Sequence, residues 1–461
     1  MTVAEATPEL DPAALEHAAH DRAFLGHPKG LGYLAFVEGC ERFSYYSMQT
    51  LLVLYMVKHL LLPEHIGHVW GLEWLRGGYY EGRQGQPLAS AIFGDYTALV
   101  YLTPIMGGLV ADRLLGRRAT LILGALVMAL GHFLMAFEGT FLIALLALVV
   151  GVGLFKGNIA SQVGELYRPD DLRRAMAFQI FYIAINVSVI GAPLISGTLG
   201  EKVGWHYGFG TAGIVMVAGL LLYLKAGPWL PADNKPARTA HAPRTALEPG
   251  DGARILAVVL LVPALAISLV PNNQIFNAYL VWADERFALT FFGHTLPTSW
   301  MITLDAALSF SMLVAVAAFW KWRAARSGTE PDELSKMIIG GLFSIAGALC
   351  LVIAAATAGP AKIGLFWPVM FHLLNSIGFS HMLPVSLALF TRLAPRAINA
   401  TVLGIYYLAF FAANKMVGVV GGWYSAMDTA AFWLLHVGAA AVGLAAFVLF
   451  KLVAAPRLLK A

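Results

Sequence analysis

The chain has 461 residues, of which 59% are apolar and only 13% are charged, and its mean hydropathy is +0.70. A soluble globular domain carries about 25% charged residues, so this composition excludes a soluble protein and indicates one that crosses a membrane repeatedly. The net charge of +4 is small, and the two cysteines, Cys40 and Cys350, both lie in apolar runs. They provide neither a disulfide framework nor the spacing of a metal site.

The apolar runs predict the number and order of the membrane segments. Residues 1–30 are polar and lack the apolar core of a signal peptide, so we expect a cytoplasmic tail. Twelve apolar segments follow, each near or above the ~20 residues that a spanning helix needs. They are 31–62, 87–113, 117–136, 140–165, 172–199, 205–227, 253–285, 297–322, 334–358, 363–391, 396–423 and 429–454.

The loops predict the orientation and the domains. Most of the 31 lysines and arginines fall on the side that also holds both termini, which indicates that this side is cytoplasmic. A polar stretch rich in Pro, Ala, Arg and Asp separates the sixth and seventh segments. The predicted order is a tail (1–30), an N-terminal six-helix bundle (31–227), a cytoplasmic linker (228–252), a C-terminal six-helix bundle (253–454) and a tail (455–461).

A charged cluster interrupts the first apolar segment. Glu38, Glu41 and Arg42 are spaced three and four residues apart, so on a helix they share one face. Ionisable groups inside a membrane are expensive and persist where they pair or act. Two carboxylates beside one arginine make one glutamate a natural proton acceptor. We therefore predict proton coupling at these three residues, with a purely structural ion network as the alternative.

A second motif joins segments two and three. Small and charged residues stand here at fixed spacing: Gly108, Asp112, Arg113, Gly116 and Arg117. The glycines permit close helix approach, and the charges can tie helix ends together. The motif resembles the GxxxDRxGRR loop of the major facilitator superfamily, with one extra residue. That resemblance, with the six-plus-six pattern, implies an all-α polytopic protein with the major facilitator fold.

A narrower resemblance covers most of the N-terminal half. Glu38-x-x-Glu41-Arg42-Phe43-x-Tyr45-Tyr46 matches the ExxERFxYY motif of the proton-dependent oligopeptide transporters, a family also called POT. Further matches are Ala89 to Pro104, Gly151 to Asn158, Phe178 to Asn186 and Gly204 to Gly210, with weaker ones at Pro297 to Trp300 and Leu393 to Pro395. The resemblance implies a bacterial-type symporter that imports di- and tripeptides with protons by alternating access.

The same resemblance implies the cellular setting and the partners. The protein is expected to be a secondary active transporter and not an enzyme, monomeric, in the bacterial inner membrane. Its expected partners are a small peptide, protons and membrane lipids, without nucleic acid. No cofactor or metal is expected, because the sequence shows no nucleotide loop or metal cluster and the energy would come from the proton gradient.

The substrate site is predicted from polar and aromatic residues within the apolar segments. These are Tyr45, Tyr46, Tyr96, Lys156, Asn186, Asn273, Trp300 and Asp305. Lys156 would bind the peptide carboxylate or a carboxylate across the cavity, unless it extends to the interface. The tyrosines could instead pack, and Asn186 could instead bond a neighbouring helix.

The chain departs from the family where acids are usual. The seventh segment reads Asn272-Asn273-Gln274, and the tenth has Phe379 five residues before Pro384. We predict that Asp305 compensates, by binding the peptide amine or pairing with Lys156. Other candidates for compensation or gating are His381, Lys415, Asp284 and Asp95. Lys415 is either an inner-gate cation or a lysine that reaches the interface.

The missing acids leave a proton symporter of a non-peptide solute (nitrate, an amino acid derivative or a drug) as the alternative, and a non-transporting membrane protein as a more distant one.

Overall fold

The computed structural model describes residues 21–168, 170–231, 248–395 and 399–458. Most of the predicted N-terminal tail, the middle of the predicted linker and the last three residues lie outside the described ranges. The described residues are almost entirely helical, as the apolar segments predict.

Six long helices precede the linker, and we number them α1 to α6. They are α1 Lys29–Tyr55, α2 Gly85–Val110, α3 Arg117–Leu134, α4 Phe141–Glu165, α5 Arg173–Ala192 and α6 Trp205–Ala226. Pro193 has no N–H to continue α5, so a π-helical turn, Pro193–Gly197, and a short helix, Thr198–Lys202, complete that segment. A second short helix, Leu72–Gly77, lies in the loop before α2.

Six more long helices follow the linker. They are α7 Asp251–Asn273, α8 Trp300–Ser327, α9 Glu333–Ala358, α10 Phe366–Leu393, α11 Asn399–Gly421 and α12 Thr429–Leu449. Pro263 and Pro271 lie inside α7, and the segment resumes after a break as the helix Ala278–Arg286. A two-stranded hairpin pairs Thr290–Phe291 with His294–Thr295 before α8.

Eleven of the described helical segments are long and apolar enough to cross a membrane. The helix α1 has 27 residues, which also suffices for a crossing. It falls outside those eleven, and Glu38, Glu41 and Arg42 lie near its middle. The structure is therefore consistent with the predicted twelve segments.

The described helices form two compact units. The first lies within Met1–Met48, His68–Trp70 and Leu102–Ala240, and the second within Gln49–Gly67, Gly71–Tyr101 and His241–Ala461. In the first unit, Gly107 of α2 meets the backbone of Gly153 in α4. In the second, Gly94 of α2 meets Gly418 of α11. Each pair permits a close helix crossing. The predicted domain boundaries at residues 227 and 253 stay a prediction.

Candidate functional site

The predicted charged cluster is buried in the first unit. Glu38, Glu41 and Arg42 are 5%, 0% and 7% exposed. The Nε of Arg42 lies 3.3 Å from Glu38 Oε1 and also donates a hydrogen bond to Glu41 Oε2. One guanidinium nitrogen thus serves two carboxylates. Helical spacing predicts its contact with Glu38, four residues away, whereas Glu41 is its direct neighbour in sequence.

The cluster keeps unused hydrogen-bonding atoms. Glu38 Oε2, Glu41 Oε1 and Arg42 Nη2 are buried and have no hydrogen-bond partner among the described residues. A buried polar atom without a partner is costly. Two of these atoms are acceptors that a proton would satisfy, and the third is a donor suited to an anion.

Neighbouring polar residues surround this cluster. Lys156 of α4 is half-buried and interacts electrostatically with Glu38, Glu41 and Arg42. The Arg42 guanidinium lies 5.3 Å from the centre of the Tyr45 ring, and Tyr46 packs edge-on against Tyr45 with ring centres 5.2 Å apart. The first unit therefore brings together five of the predicted ionisable and aromatic positions around one arginine.

Asn186 has a local role in this structure. Its Nδ2 donates to Tyr182 O, one turn earlier in α5, at 2.8 Å. The structural alternative predicted a bond to a neighbouring helix, whereas this bond lies within α5 itself. Its carbonyl oxygen is left out of this bond, so the predicted substrate contact stays a prediction.

Four other predicted substrate residues belong to the second unit. Tyr96 and Asp305 are buried, whereas Asn273 and Trp300 are half-buried. The Nδ2 of Asn273 is buried and has no partner among the described residues.

Asp305 forms a polar chain with two residues that the sequence analysis did not assign. Its Oδ1 lies 2.8 Å from His372 Nδ1 in α10, and His372 Nε2 lies 2.7 Å from the Tyr279 hydroxyl. His372 is completely buried. Because a lone histidine in an apolar segment is expensive, His372 could have been noticed from sequence, but its partner could not.

His381 is bonded at both ring nitrogens. Trp320 Nε1 of α8 donates to its Nε2 at 3.0 Å, and its Nδ1 lies 2.8 Å from Ile377 O. These bonds fix a neutral imidazole with the proton on Nδ1. The structure therefore gives His381 a helix-joining contact between α8 and α10.

Three of the predicted gating residues, Lys415, Asp95 and Asp284, form ion pairs in the second unit. Lys415 and Asp95 lie at the end of that unit next to the 63–84 loop, which joins the first and second membrane segments. Lys415 of α11 pairs with Asp95 of α2 and donates to the Tyr79 hydroxyl at 3.0 Å. The Tyr80 hydroxyl donates to Asp95 at 3.2 Å. These residues border a cavity of about 180 Å³. One partner, Tyr79, lies in this loop, which the charge bias of the chain predicts on the outer side, and the other, Asp95, lies in α2. The role of Lys415 as an inner-gate cation stays a prediction.

Asp284 forms a second ion pair in the same unit. Its Oδ1 lies 2.8 Å from Lys58 Nζ and accepts from Thr298 Oγ1 at 2.9 Å. Lys58 follows α1 and Thr298 precedes α8, so Asp284 connects three segments. The gating role of Asp284 stays a prediction.

The loop motif between α2 and α3 is also a contact site. Arg117 pairs with Glu165 at the end of α4, which ties two helix ends together as predicted. Gly116 has φ +79°, where L side chains are rare. Gly107 and not Gly108 makes the close helix contact, since nothing lies within 4 Å of a Cβ placed at Gly108. Asp112 and Arg113 are exposed.

A separate cluster fixes the segment before α1. Arg173 Nη2 donates to Asp171 Oδ2 at 2.9 Å, and this bond, outweighing partial burial, lowers the pKa of Asp171. His27 Nδ1 lies 2.8 Å from the Tyr167 hydroxyl. Burial, followed by the Arg173 charge, lowers the pKa of His27. These bonds hold residues 21–28 against the loop between α4 and α5.

Known proteins resemble this chain in sequence over most of its length. The model of the POT family matches residues 118–237 and 232–434. The peptide transporter YePEPT of Yersinia enterocolitica is 30% identical over 476 residues, covering 87% of this chain and 89% of that protein. The uncharacterized transporter YclF of Bacillus subtilis is 28% identical over 471 residues, covering 90% and 91%.

A solved structure agrees with the fold. The crystal structure of a mutant peptide transporter POT in complex with sulfate superposes with a TM-score of 0.83 at 26% identity, covering 98% of this chain and 99% of that one. The protein is thus a helical membrane transporter with the major facilitator fold, and not an enzyme. The chain belongs to the POT family, which confirms the family predicted from its motifs.

Proposed function

We propose that the protein is a proton-coupled symporter that imports di- and tripeptides by alternating access. The observation that carries the proposal is the single Arg42 nitrogen shared by two buried glutamates, with an unused acceptor on each glutamate and an unused donor on the arginine. The name of YePEPT as a peptide transporter supports the choice of substrate.

Coupling follows from competition for Arg42. The guanidinium stays charged, so its partners decide what it binds. With both glutamates ionised, Arg42 is held by them. A proton on Glu38 or Glu41 removes one of the two attractions and frees guanidinium donors for the carboxylate of a peptide. Proton and peptide then favour each other's binding, which is the condition for symport.

Neighbouring groups extend this site. Lys156 adds a second positive charge beside the cluster, suited to a peptide carboxylate. The hydroxyls of Tyr45 and Tyr46 can donate and accept without a fixed charge, which suits a site that accepts many side chains. Asp305, which belongs to the second unit, is a further candidate substrate residue. The two halves would rock about the site, with ion pairs opening on one side as others close. No resident cofactor takes part, and the proton gradient supplies the energy.

A proton symporter for a non-peptide solute is the second candidate. Asn273 and Phe379 stand where related transporters carry acids, so two charges that commonly face a peptide or a lysine are missing. The coupling cluster of α1 is intact in either case. The two candidates therefore differ in substrate and share the proton step.

The test uses purified protein in proteoliposomes. An inward proton gradient should drive accumulation of labelled dialanine, and a protonophore should abolish it. A gradient that drives no dialanine uptake contradicts the peptide assignment, and a panel of nitrate, amino acid derivatives and drugs then tests the second candidate. If no solute induces proton entry, the symport mechanism itself fails.

The membrane and orientation are part of the proposal. The protein is placed in the bacterial inner membrane as a monomer, with both termini cytoplasmic. The charge bias of the loops supports this orientation. Impermeant labelling of single cysteines at Glu81 and Ser327 in intact cells tests it, since only Glu81 should be labelled. The opposite result would reverse the orientation.

A further inference from the structure

The second unit contains a buried carboxylate that the α1 cluster does not involve. Asp305 Oδ1 lies 2.8 Å from His372 Nδ1, and His372 Nε2 lies 2.7 Å from the Tyr279 hydroxyl. One turn further along the same two helices, Ser309 Oγ lies 3.0 Å from Ser376 Oγ. Two successive polar contacts therefore lock α8 to α10 at this level.

The bonding pattern defines the proton positions in this chain of contacts. A carboxylate oxygen can only accept, so His372 Nδ1 carries the hydrogen that points to Asp305. His372 Nε2 is then an acceptor, and the Tyr279 hydroxyl donates to it. Asp305 Oδ1, both His372 nitrogens and the Tyr279 hydroxyl are each used once, with a neutral imidazole in the middle.

A second proton on His372 would break this order. Nε2 would become a donor, and the Tyr279 hydroxyl would have to turn its hydrogen away. The Tyr279 ring is fully buried, and aromatic rings surround it: Trp282, Phe287, Phe371 and Trp433. The displaced O–H would meet ring faces and edges, which are poor acceptors compared with an imidazole nitrogen.

A proton on Asp305 leaves the hydrogen bonds among Asp305, His372 and Tyr279 in place. The Asp305 side chain retains 11% exposure whereas that of His372 has none. A proton can therefore reach the carboxyl from outside the bonded chain, and Oδ1 still accepts from His372 after Oδ2 is protonated. Neutralising the carboxylate also removes the cost of a buried negative charge.

Other ionisable groups on the packed helices have their own partners. On α9, Glu333 pairs with Arg392, Lys336 pairs with Glu330, and the Cys350 thiol bonds Ala346 O. His436 Nδ1 on α12 bonds Phe432 O, and Asp251 on α7 pairs with Arg254. Among the described residues, the ionisable groups bonded to His372 are Asp305 and Tyr279 alone.

We propose that Asp305 is a second proton-binding carboxyl of this transporter and that His372, fixed by Tyr279, is its neutral positioning residue. The assignment of this proton to transport rests on the proposed function. Binding of the proton itself does not. With its proton, Asp305 offers one donor and one acceptor to a bound peptide, so peptide binding strengthens as the proton is taken up.

The primary test measures proton uptake by the purified full-length protein. The pH is lowered from about 8 to about 5, and a pH indicator reports protons bound per protein. Asp305→Asn should bind about one proton fewer than the wild type. His372→Gln should bind as many as the wild type, because an amide can donate to Asp305 and accept from Tyr279. Ser309→Ala is the matched control, since it removes the adjacent contact and no ionisable group.

Two results would overturn the inference. If Asp305→Asn binds as many protons as the wild type, Asp305 is not the site. If His372→Gln loses the proton while thermal unfolding shows it folded, the imidazole carries it. His372→Phe removes the donor to Asp305 and should shift the pH profile of uptake while the number of protons stays the same.

Dialanine binding separates the proton role from an amine-binding role. Asparagine resembles a protonated aspartate, so Asp305→Asn should bind dialanine with an affinity that varies less with pH than that of the wild type. An affinity reduced at every pH would make Asp305 an anchor for the peptide amine and overturn the proposal. If the wild type binds no dialanine but the proton counts differ as predicted, the proton site stands and the peptide assignment fails.

Discussion

The ion pair between Asp95 and Lys415 makes a prediction about the conformational balance of the transporter. Asp95→Asn removes the charge without changing the shape of the side chain. In this variant, Lys415 loses its ion pair with residue 95, and the Tyr80 hydroxyl can still donate to the side-chain amide oxygen at that position. Because α2 and α11 meet here, we expect this variant to open the end of the unit that carries the 63–84 loop more often.

The expected change in the open-to-closed ratio follows from the solvent exposure of the Asp95 and Lys415 side chains. The Asp95 and Lys415 side chains are 18% and 38% exposed, so water and salt screen the pair. A pair of this kind contributes about 1 kcal/mol, the upper end for exposed pairs, because two tyrosines also bond it. A change of about 1 kcal/mol alters an open-to-closed ratio about fivefold.

Cysteine labelling measures this ratio. Ala91 borders the same cavity and is 9% exposed, so Ala91→Cys reports opening through its rate of reaction with an impermeant maleimide. The native Cys40 and Cys350 are replaced first. We expect labelling to be about fivefold faster in the Asp95→Asn variant, and less different at high salt.

A double-mutant cycle decides whether the pair itself is responsible. Lys415→Gln should also speed labelling, and adding it to Asp95→Asn should have little further effect. The charge reversal Asp95→Lys with Lys415→Asp should restore part of the slow rate. Additive single effects, or an unchanged rate in Asp95→Asn, would refute the reasoning.

Three further predictions rest on other contacts. Glu41→Gln should abolish proton-driven dialanine uptake and preserve counterflow exchange, because the neutral amide mimics a fixed protonated state; loss of both would indicate a structural role. Gly418→Ala should reduce thermal stability by about 1–3 kcal/mol and speed labelling at position 91, since its Cβ would lie 2.8 Å from Gly94 Cα; an unchanged melting temperature would contradict this tight crossing. Asp332 caps α9, and although burial acts to raise its pKa, hydrogen bonds from Lys451 and Ser335 hold the pKa below its ordinary value. Its stabilisation is therefore present above about pH 4 and lost as the pH falls through the folded pKa, so the deficit of about 1 kcal/mol in Asp332→Ala should narrow in acid when unfolding is followed across pH.

The sequence predicts the helices well because each membrane segment must satisfy its own backbone. Hydropathy alone therefore places α3 at 117–136, against the observed Arg117–Leu134, and α4 at 140–165, against Phe141–Glu165. The seventh segment shows the limit. It was predicted as one helix, and a 3-10 turn at Gln274–Phe276, followed by Asn277, separates α7 from the helix Ala278–Arg286.

In the candidate site, contacts within one helix are predictable from the sequence, and contacts between distant segments are not. The Glu38, Glu41 and Arg42 cluster is predictable because Glu38 stands three and four residues from the other two on one helix. Asp95 and Lys415 are 320 positions apart, and Asp305 and His372 are 67 apart. Tertiary packing selects these partners, and a single sequence carries no signal for the pairing.

The two carboxylate sites differ in what their unused atoms can do. In the α1 cluster, Arg42 ties the glutamates together and keeps a free donor, so a proton changes which partner the cation holds. At Asp305 the neighbour is a neutral imidazole with both nitrogens engaged, so a proton changes the charge of the carboxyl and leaves its bonds in place. The first arrangement suits a switch and the second suits a proton store. Under the proposed function, these two carboxyl environments would divide proton coupling between the α1 cluster and Asp305.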